Sequence, residues 1–514
     1  TPIQAEITSQ MGDVTQLQGM LNIIYGDPQP DSSDPVITQI SLHDTTTGEP
    51  IANLRMGIGL AHTYLRQTVQ VDVARLSRPA SADEIPTYQV QGIMPIASRN
   101  NVDRPQGTIS TPQSAGSQKF INLLCKFSDR PSEPRPAAQY AELFNPTYGS
   151  PNHFWTTISY NVINLNGSTT VSGWRTLPRT QSYYTSPLKL SELLQDCATV
   201  FDDVVNFNSV VGINIMLNDS LGCCAWGGGG FISTNEGFKI IRATWNPPWA
   251  QNAETLTHEI GHALGLPHSS GPWDNPPTEL SIYVSQWDVM SKGGRCNQTY
   301  GSWSCIPAGT IAYYLTLNNW LPANRQLEIS VGSQATFTLR RLNADVGSGY
   351  VLAKVPINDS TTQFYTVEVR DNVSTYDVNV PATAVVIHYV DLNIQGNTGP
   401  ALVVDADDGN DNVNDLGAQW QAGEIFTDTM NTISIRVVSK SGSDYVVEIK
   451  NNPMTILTNF TENELLAALQ AQAPSNMTYY LVNFNVANAE IYANINGQMA
   501  RAVITVTNRG GGLV

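Results

Sequence analysis

The chain is poor in charge, and poorest in positive charge. Only 14% of its 514 residues are Asp, Glu, Lys or Arg, and 27 basic against 44 acidic residues leave a formal charge of −17. Such a balance argues against a nucleic-acid or anionic-membrane partner. No apolar run approaches the length of a membrane span. Internal repeats, a Gly-rich phosphate loop and coiled-coil heptads are absent. Cysteine is missing from residues 1–124 and again after residue 305, so any disulfides staple one region. The chain opens on Thr1-Pro2 with neither an initiator Met nor a signal-like segment, and the expectation is a processed, secreted, extracellular protein.

Histidine is scarce as well, yet three of the seven fall in one eleven-residue window. The stretch Thr257 to His268 reads H-E-x-x-H-x-x-G-x-x-H. On a helix, His258 and His262 project from one face and can meet one ion. Glu259 lies beside the first ligand, within reach of a metal-bound water as general base. Gly265 suits the positive φ that ends a helix, and the turn returns His268 as third ligand, with the fourth position expected to hold water. Asn252 is a good N-cap, Leu256, Ile260, Ala263 and Leu264 form an apolar stripe, and Pro267 follows the stop.

This extended motif, with Trp287-Asp288-Val289-Met290-Ser291 further along, resembles the metzincin zinc peptidases, whose motif is followed by a methionine turn. The pattern is most similar to the gametolysin-type and immune-inhibitor-A-like secreted peptidases. The resemblance implies Met290 as the turn methionine and Zn²⁺ as cofactor. It gives no tyrosine ligand, because Lys292 stands two residues after Met290. It is fullest over residues 118–322. There Ser159-Tyr160 to Trp174 is similar to the region after an S-Y-G signature, with Asn161 in place of Gly. It also implies that Ala225, Trp226 and Gly227, just before the active-site helix, form an edge strand that pairs with extended substrate, while the alternative is a flexible glycine loop.

The expected fold class is α+β: a metzincin-like peptidase domain, mixed sheet plus active-site helix, with flanking all-β domains. Residues 1–117 read as a small β domain with strands at Val36–Leu42 and Gln67–Val73, ending in a polar linker from Ser98 to Gln118. In similar peptidases such a segment can be a prodomain, but a cysteine switch is excluded here. Within it His43, His62 and Asp72 read as solvated or structural. Residues 118–322 form the catalytic unit, with strands at Lys119–Phe127 and Val210–Leu217 and helices at Leu188–Asn206 and Ile311–Leu321. Residues 323–450 show short β runs spaced as in a sandwich, expected to contribute nothing to the metal site. Residues 451–514 form a small α+β unit, with a helix signal at Thr461–Glu464 and a hairpin about Asn496-Gly497.

Six cysteines allow fifteen pairings. Cys296–Cys305 is the expected pair, Cys197 can reach Cys223 or Cys224, those two are not expected to join each other, and Cys125 reads as buried and free. Sequons occur at Asn166, Asn218, Asn297, Asn358, Asn372, Asn459 and Asn476, in keeping with a secreted glycoprotein. The loop Asp405–Asn412 is rich in oxygen ligands for Ca²⁺, but Leu416 stands where an EF-hand has its bidentate Glu, and a solvated turn is the favoured reading. The function expected is a secreted zinc endopeptidase acting on proteins or peptides. The alternative is a latent or vestigial peptidase acting as an extracellular glycan- or protein-binding module.

Overall fold

The structure is a computed structural model that describes residues 14–30, 32–76, 85–96, 115–273, 282–293, 299–300, 303–304, 306–343, 347–406, 412–451 and 470, and the strands at 477–484, 488–495 and 498–505. It is strand-rich and mixed α/β. At the N-terminal end, β1 (Thr15–Pro28), β2 (Ile37–His43), β3 (Pro50–Arg55), β4 (Thr68–Arg75) and β5 (Thr87–Pro95) close into a five-stranded barrel in the order β1-β2-β3-β5-β4-β1. The first half of β1 pairs with β4 and the second half with β2, which lets one long strand shut the ring. Period-two alternation builds the interior: Leu21, Ile23 and Tyr25 of β1 and Val69, Val71 and Val73 of β4 are buried. A short helix, α1 (Ile58–Thr63), packs Ile58 and Ala61 into the same core.

The barrel is not a detached unit. Its β1 runs on into a second sheet that contains β6 (Phe120–Lys126), β7 (Gly212–Leu217), β8 (Cys224–Thr234) and β9 (Gly237–Asn246), in the order β6-β7-β9-β8-β1. Pairs β6–β7 and β7–β9 are parallel, and β8–β9 is antiparallel. A parallel sheet covered on both faces needs continuous apolar strands, and β6 and β7 are buried almost throughout. Helix α2 (Leu190–Phe201) lies on this sheet through Leu193, Leu194, Ala198 and Phe201, shorter than the expected Leu188–Asn206 because Val204 is exposed. The Ile311–Leu321 segment likewise keeps only Ala312–Leu317 as helix.

The packing of α2 corrects the cysteine expectations. Cys125 of β6 is not free: it bonds Cys197 of α2, with Cα atoms 6.0 Å apart. With Cys197 taken, Cys223 and Cys224 pair with each other, contrary to expectation. Cys296 and Cys305 lie outside the described residues.

Residues 326–451 form two sheets face to face. One contains Gln326–Glu328, Leu352–Pro356, Gln363–Arg370, Ala384–Asp391 and Ala401–Val403, and the other Ser333–Leu339, Ile433–Ser441, Asp444–Asn451 and Ile425–Asp428. Val355, Val367 and Ile387 of the first share a core with Ile435, Val447 and Ile449 of the second, as in a sandwich. It is less separate than expected, since Ser269–Ser270, just after the histidine motif, joins the first sheet beside Ala401–Leu402. The hairpin strands Asn488–Ile495 and Gln498–Thr505 pair in the two-residue-loop register expected at Asn496-Gly497. The Thr461–Glu464 signal and most of the Asp405–Asn412 loop lie outside the described residues. Among the described residues no helix is long and apolar enough to cross a membrane.

One buried cation joins the sandwich to the segment that follows the histidine motif. Arg370, fully buried, donates through Nε to Asp377 at 2.7 Å and through its terminal nitrogens to Asp377, to Glu368 at 3.3 Å, and to the backbone carbonyls of Trp287 and Gly309. Among the described residues no other cation forms an ion pair with Asp377 or Glu368. Arg370→Ala therefore strands two buried carboxylates, and a loss of about 3–5 kcal/mol is expected from breaking such a pair. Urea denaturation of the two proteins measures it, and a loss below 1 kcal/mol would refute the assigned role.

Candidate metal centre

Helix α3 (Ala253–Leu264) carries the motif. Asn252 caps it by accepting the Thr255 backbone N–H at 2.9 Å, as its type predicts. Gly265 ends it at φ +99°. The turn that follows has two effects. It brings back His268, and it turns the Leu266 carbonyl toward His262, whose Nδ1 donates to it at 2.7 Å. His258 Nδ1 donates in the same way to the carbonyl of Val289 at 2.7 Å.

A carbonyl oxygen only accepts, so in both rings the proton sits on Nδ1 and the lone pair on Nε2 faces inward. Those nitrogens meet: His262 Nε2 lies 3.0 Å from His258 Nε2 and 3.1 Å from His268 Nε2. Facing lone pairs at that distance repel unless a cation lies among them. Tetrahedral ligands with zinc–nitrogen bonds of about 2.0–2.1 Å sit roughly 3.3 Å apart, so the spacing fits that ion. Burial and the neighbouring His268 push the His262 ring down to about 3, in keeping with a neutral ligand.

A fourth donor is present that the sequence did not indicate. Asp27, near the end of β1, places Oδ1 2.6 Å from His268 Nε2 and Oδ2 3.4 Å from His262 Nε2 and 3.6 Å from His258 Nε2. Asp27, His258, His262 and His268, all buried, form a group that can hold a metal ion. The fourth position expected for water is therefore filled. Burial alone would raise the Asp27 carboxyl, but the imidazoles of His268 and His258 outweigh it and hold the group well below the usual carboxylate range. Tyr283 donates its hydroxyl to Asp27 Oδ1, and Tyr25, two residues earlier on the same face of β1, stacks on His262 with ring centres 4.1 Å apart. Tyr283 lies outside the motif, and only its place after His268 could have pointed to it.

Glu259 is completely buried beside the group. Burial, then the Asp27 carboxylate, push its carboxyl well above the ordinary range. It is close against β8: a Cβ on Gly227 would lie 2.7 Å from the Glu259 carbonyl and 2.8 Å from its Oε2. Met290 lies beneath the helix, where a Cβ on Gly261 would come within 2.5 Å of its sulfur. The metal centre thus rests on two glycines, one admitting a strand and one a methionine.

Other expected sites fare unevenly. Ala225, Trp226 and Gly227 do lie in β8 beside α3, but β8 is not a free edge, because β1 occupies its outer side. Asn161 takes the left-handed φ of +64° that its place after Tyr160 demands, doing the work of a glycine. Asn166, Asn358 and Asn372 are exposed. Asn218 is not available for a glycan: it is buried, accepts the Phe127 N–H at 3.1 Å and donates to the carbonyls of Arg130 and Ser132. Asn297, Asn459 and Asn476 lie outside the described residues. His43 is held by Ser41 and the Gly48 carbonyl, His62 by Tyr25, and Asp72 by Gln16.

Compared with protein families, curated proteins and solved structures, the chain matches none.

The group can hold one metal ion per chain, and zinc is the probe. His268→Ala removes a ligand outside the helix, so zinc affinity should fall by about tenfold or more while the far-ultraviolet circular dichroism stays unchanged. Competition with a chromophoric chelator measures this, and unchanged affinity would remove His268 from the ligand set.

Proposed function

We propose that the chain is a secreted zinc endopeptidase of the metzincin type, hydrolysing protein or peptide substrates. One observation carries the reading: a buried carboxyl, Glu259, stands beside three imidazole nitrogens that converge on one point. His258, His262 and His268 would hold the ion. Zinc supplies Lewis acidity at such a site, polarising a carbonyl and acidifying a water. Glu259 is one residue past a ligand, about 100° around the helix, so it faces the reacting position without joining the ligand set. Its carboxylate accepts the proton of the attacking water and hands it to the leaving amine. Ala225 to Gly227 offer backbone groups to an extended peptide wherever β1 is not in place. The Cys125–Cys197 bond suits an oxidising compartment, which supports secretion.

The closed donor set favours a second reading. Four protein ligands with no open position are the habit of structural zinc, and a vestigial peptidase that serves as a binding module would look the same at the metal. Glu259 weighs against it. A fully buried carboxyl whose polar neighbour is a second carboxyl, Asp27, rather than a cation costs stability that a purely structural site has no need to bear.

Glu259→Gln separates the two. Gln keeps the shape and a polar group but takes no proton at working pH. The variant should keep its zinc and lose about 10²–10⁴-fold in peptide cleavage, the share of a positioned general base. Because Asp27 fills the water's position, both proteins are assayed intact and after a cut engineered between residues 106 and 107. Equal rates in zinc-loaded variant and wild type would sink the mechanism.

A further inference from the structure

One cavity is lined by none of the four residues of the metal group. It encloses about 240 Å³ beside the C-terminal end of α3, and its walls include Thr63, Arg66, Arg242, Thr316 and Asn318. Three segments far apart in sequence build it: Arg66 follows α1, Arg242 lies in β9, and Asn318 follows the helix Ala312–Leu317. Pockets for drug-sized ligands run to about 300–1,000 Å³, so this one suits something smaller.

The chemistry of its wall is one-sided. The chain carries a formal charge of −17, yet two arginines and no Asp or Glu line this cavity among the described residues. Arg66 donates through Nη2 to the carbonyls of Gly228 and Ala263 at 2.9 and 2.8 Å, and its buried Nε has no partner among the described residues. Arg242 donates to Gln118 at 3.0 Å. Burial, and then the neighbouring Arg242, lower the Arg66 guanidinium to about 9, while burial lowers that of Arg242 to about 10. Both therefore stay charged at neutral pH, and two desolvated like charges oppose folding unless something offsets them. Asn318 is a second and independent sign. It is only 7% exposed, and its Nδ2 has no partner among the described residues. Guanidinium and amide nitrogens only donate, so what this wall lacks is an acceptor.

We infer that the cavity is a binding site for a small dianionic oxyanion, either free sulfate or phosphate or the phosphoryl end of a small molecule, held by Arg66, Arg242 and Asn318. A guanidinium presents its donors in a planar fork that matches two oxygens of such a group. The site is independent of the peptidase reading, since neither Glu259 nor any residue of the metal group lines it.

Equilibrium dialysis of the zinc-loaded full chain against radiolabelled sulfate tests it. One sulfate should bind per chain. Arg66→Gln should weaken binding at least about tenfold, the share of a hydrogen bond from a charged group. Asn318→Ala should weaken it about threefold or more, and it serves alone if Arg66→Gln does not fold. His268→Ala, altered at the metal group, should bind sulfate as the wild type does, which separates this site from sulfate on the metal. Glycerol phosphate displacing the label more readily than free phosphate assigns the site to a phosphoryl group on a small molecule, and the reverse order assigns it to the free ion. No saturable binding to the wild type, unchanged affinity in either folded cavity variant, or loss of binding in His268→Ala would overturn the site.

Discussion

Two hydrogen bonds fix the centre on which the rest of the structure depends. The carbonyls of Val289 and Leu266 take the Nδ1 protons of His258 and His262, and this forces both Nε2 lone pairs toward one point with His268. Leaving such buried acceptors unpaired costs about 1–3 kcal/mol each, and more for the charged Asp27. A structural zinc returns roughly 10–16 kcal/mol at neutral pH. The comparison is lopsided, and the arrangement makes physical sense as a metal centre rather than as a histidine cluster.

Several parts of the fold help aim those groups. The Val289 carbonyl belongs to the segment that Arg370 grips through Trp287, so the sandwich positions one histidine from a distance. Asp288 stiffens the same turn by accepting from the Met290 backbone at 3.1 Å and the Thr310 hydroxyl at 2.8 Å. The His268 carbonyl accepts from Tyr314, and Gly399 of the sandwich lies so near it that a Cβ there would be 1.3 Å away. Helix, turn and sandwich therefore act together. Damage to Arg370 or Gly399 would reach the metal through backbone carbonyls rather than through any ligand.

The local parts of this site were legible because their physics is local. Helix start, helix stop and ligand spacing all follow from residues within the window Asn252 to His268, and β6 and β7 announce themselves as apolar runs. Asp27 was invisible because its partner His268 lies 241 positions away and its own neighbours, Gly26 and Pro28, read as an ordinary strand end. The Cys125–Cys197 bond spans 72 positions and depends on which face α2 lays on the sheet, a tertiary fact. Asn218 matches a sequon yet spends all its hydrogen-bonding capacity inside a loop. Each of these three is a contact between segments, where composition and periodicity carry no information; the Cys223–Cys224 bond joins neighbours and follows once Cys197 is taken.

The chemistry of the fourth donor bears on how firmly the group can hold an ion. Zinc is a borderline-soft ion that holds thiolates firmly, and a thiolate in the fourth position would be hard to displace. The barrel has no cysteine to offer, and its ligand is a carboxylate, a harder oxygen donor that exchanges with water more readily. Its hold is reinforced by the Tyr283 hydroxyl and by four residues of strand pairing, all of which end at Pro28, whose nitrogen has no proton to donate. The place of the Asp27 carboxylate thus depends on β1 remaining in the barrel's register. Asp27 is carried on the strand that covers β8, so the place of the carboxylate and the cover of that strand edge are one constraint.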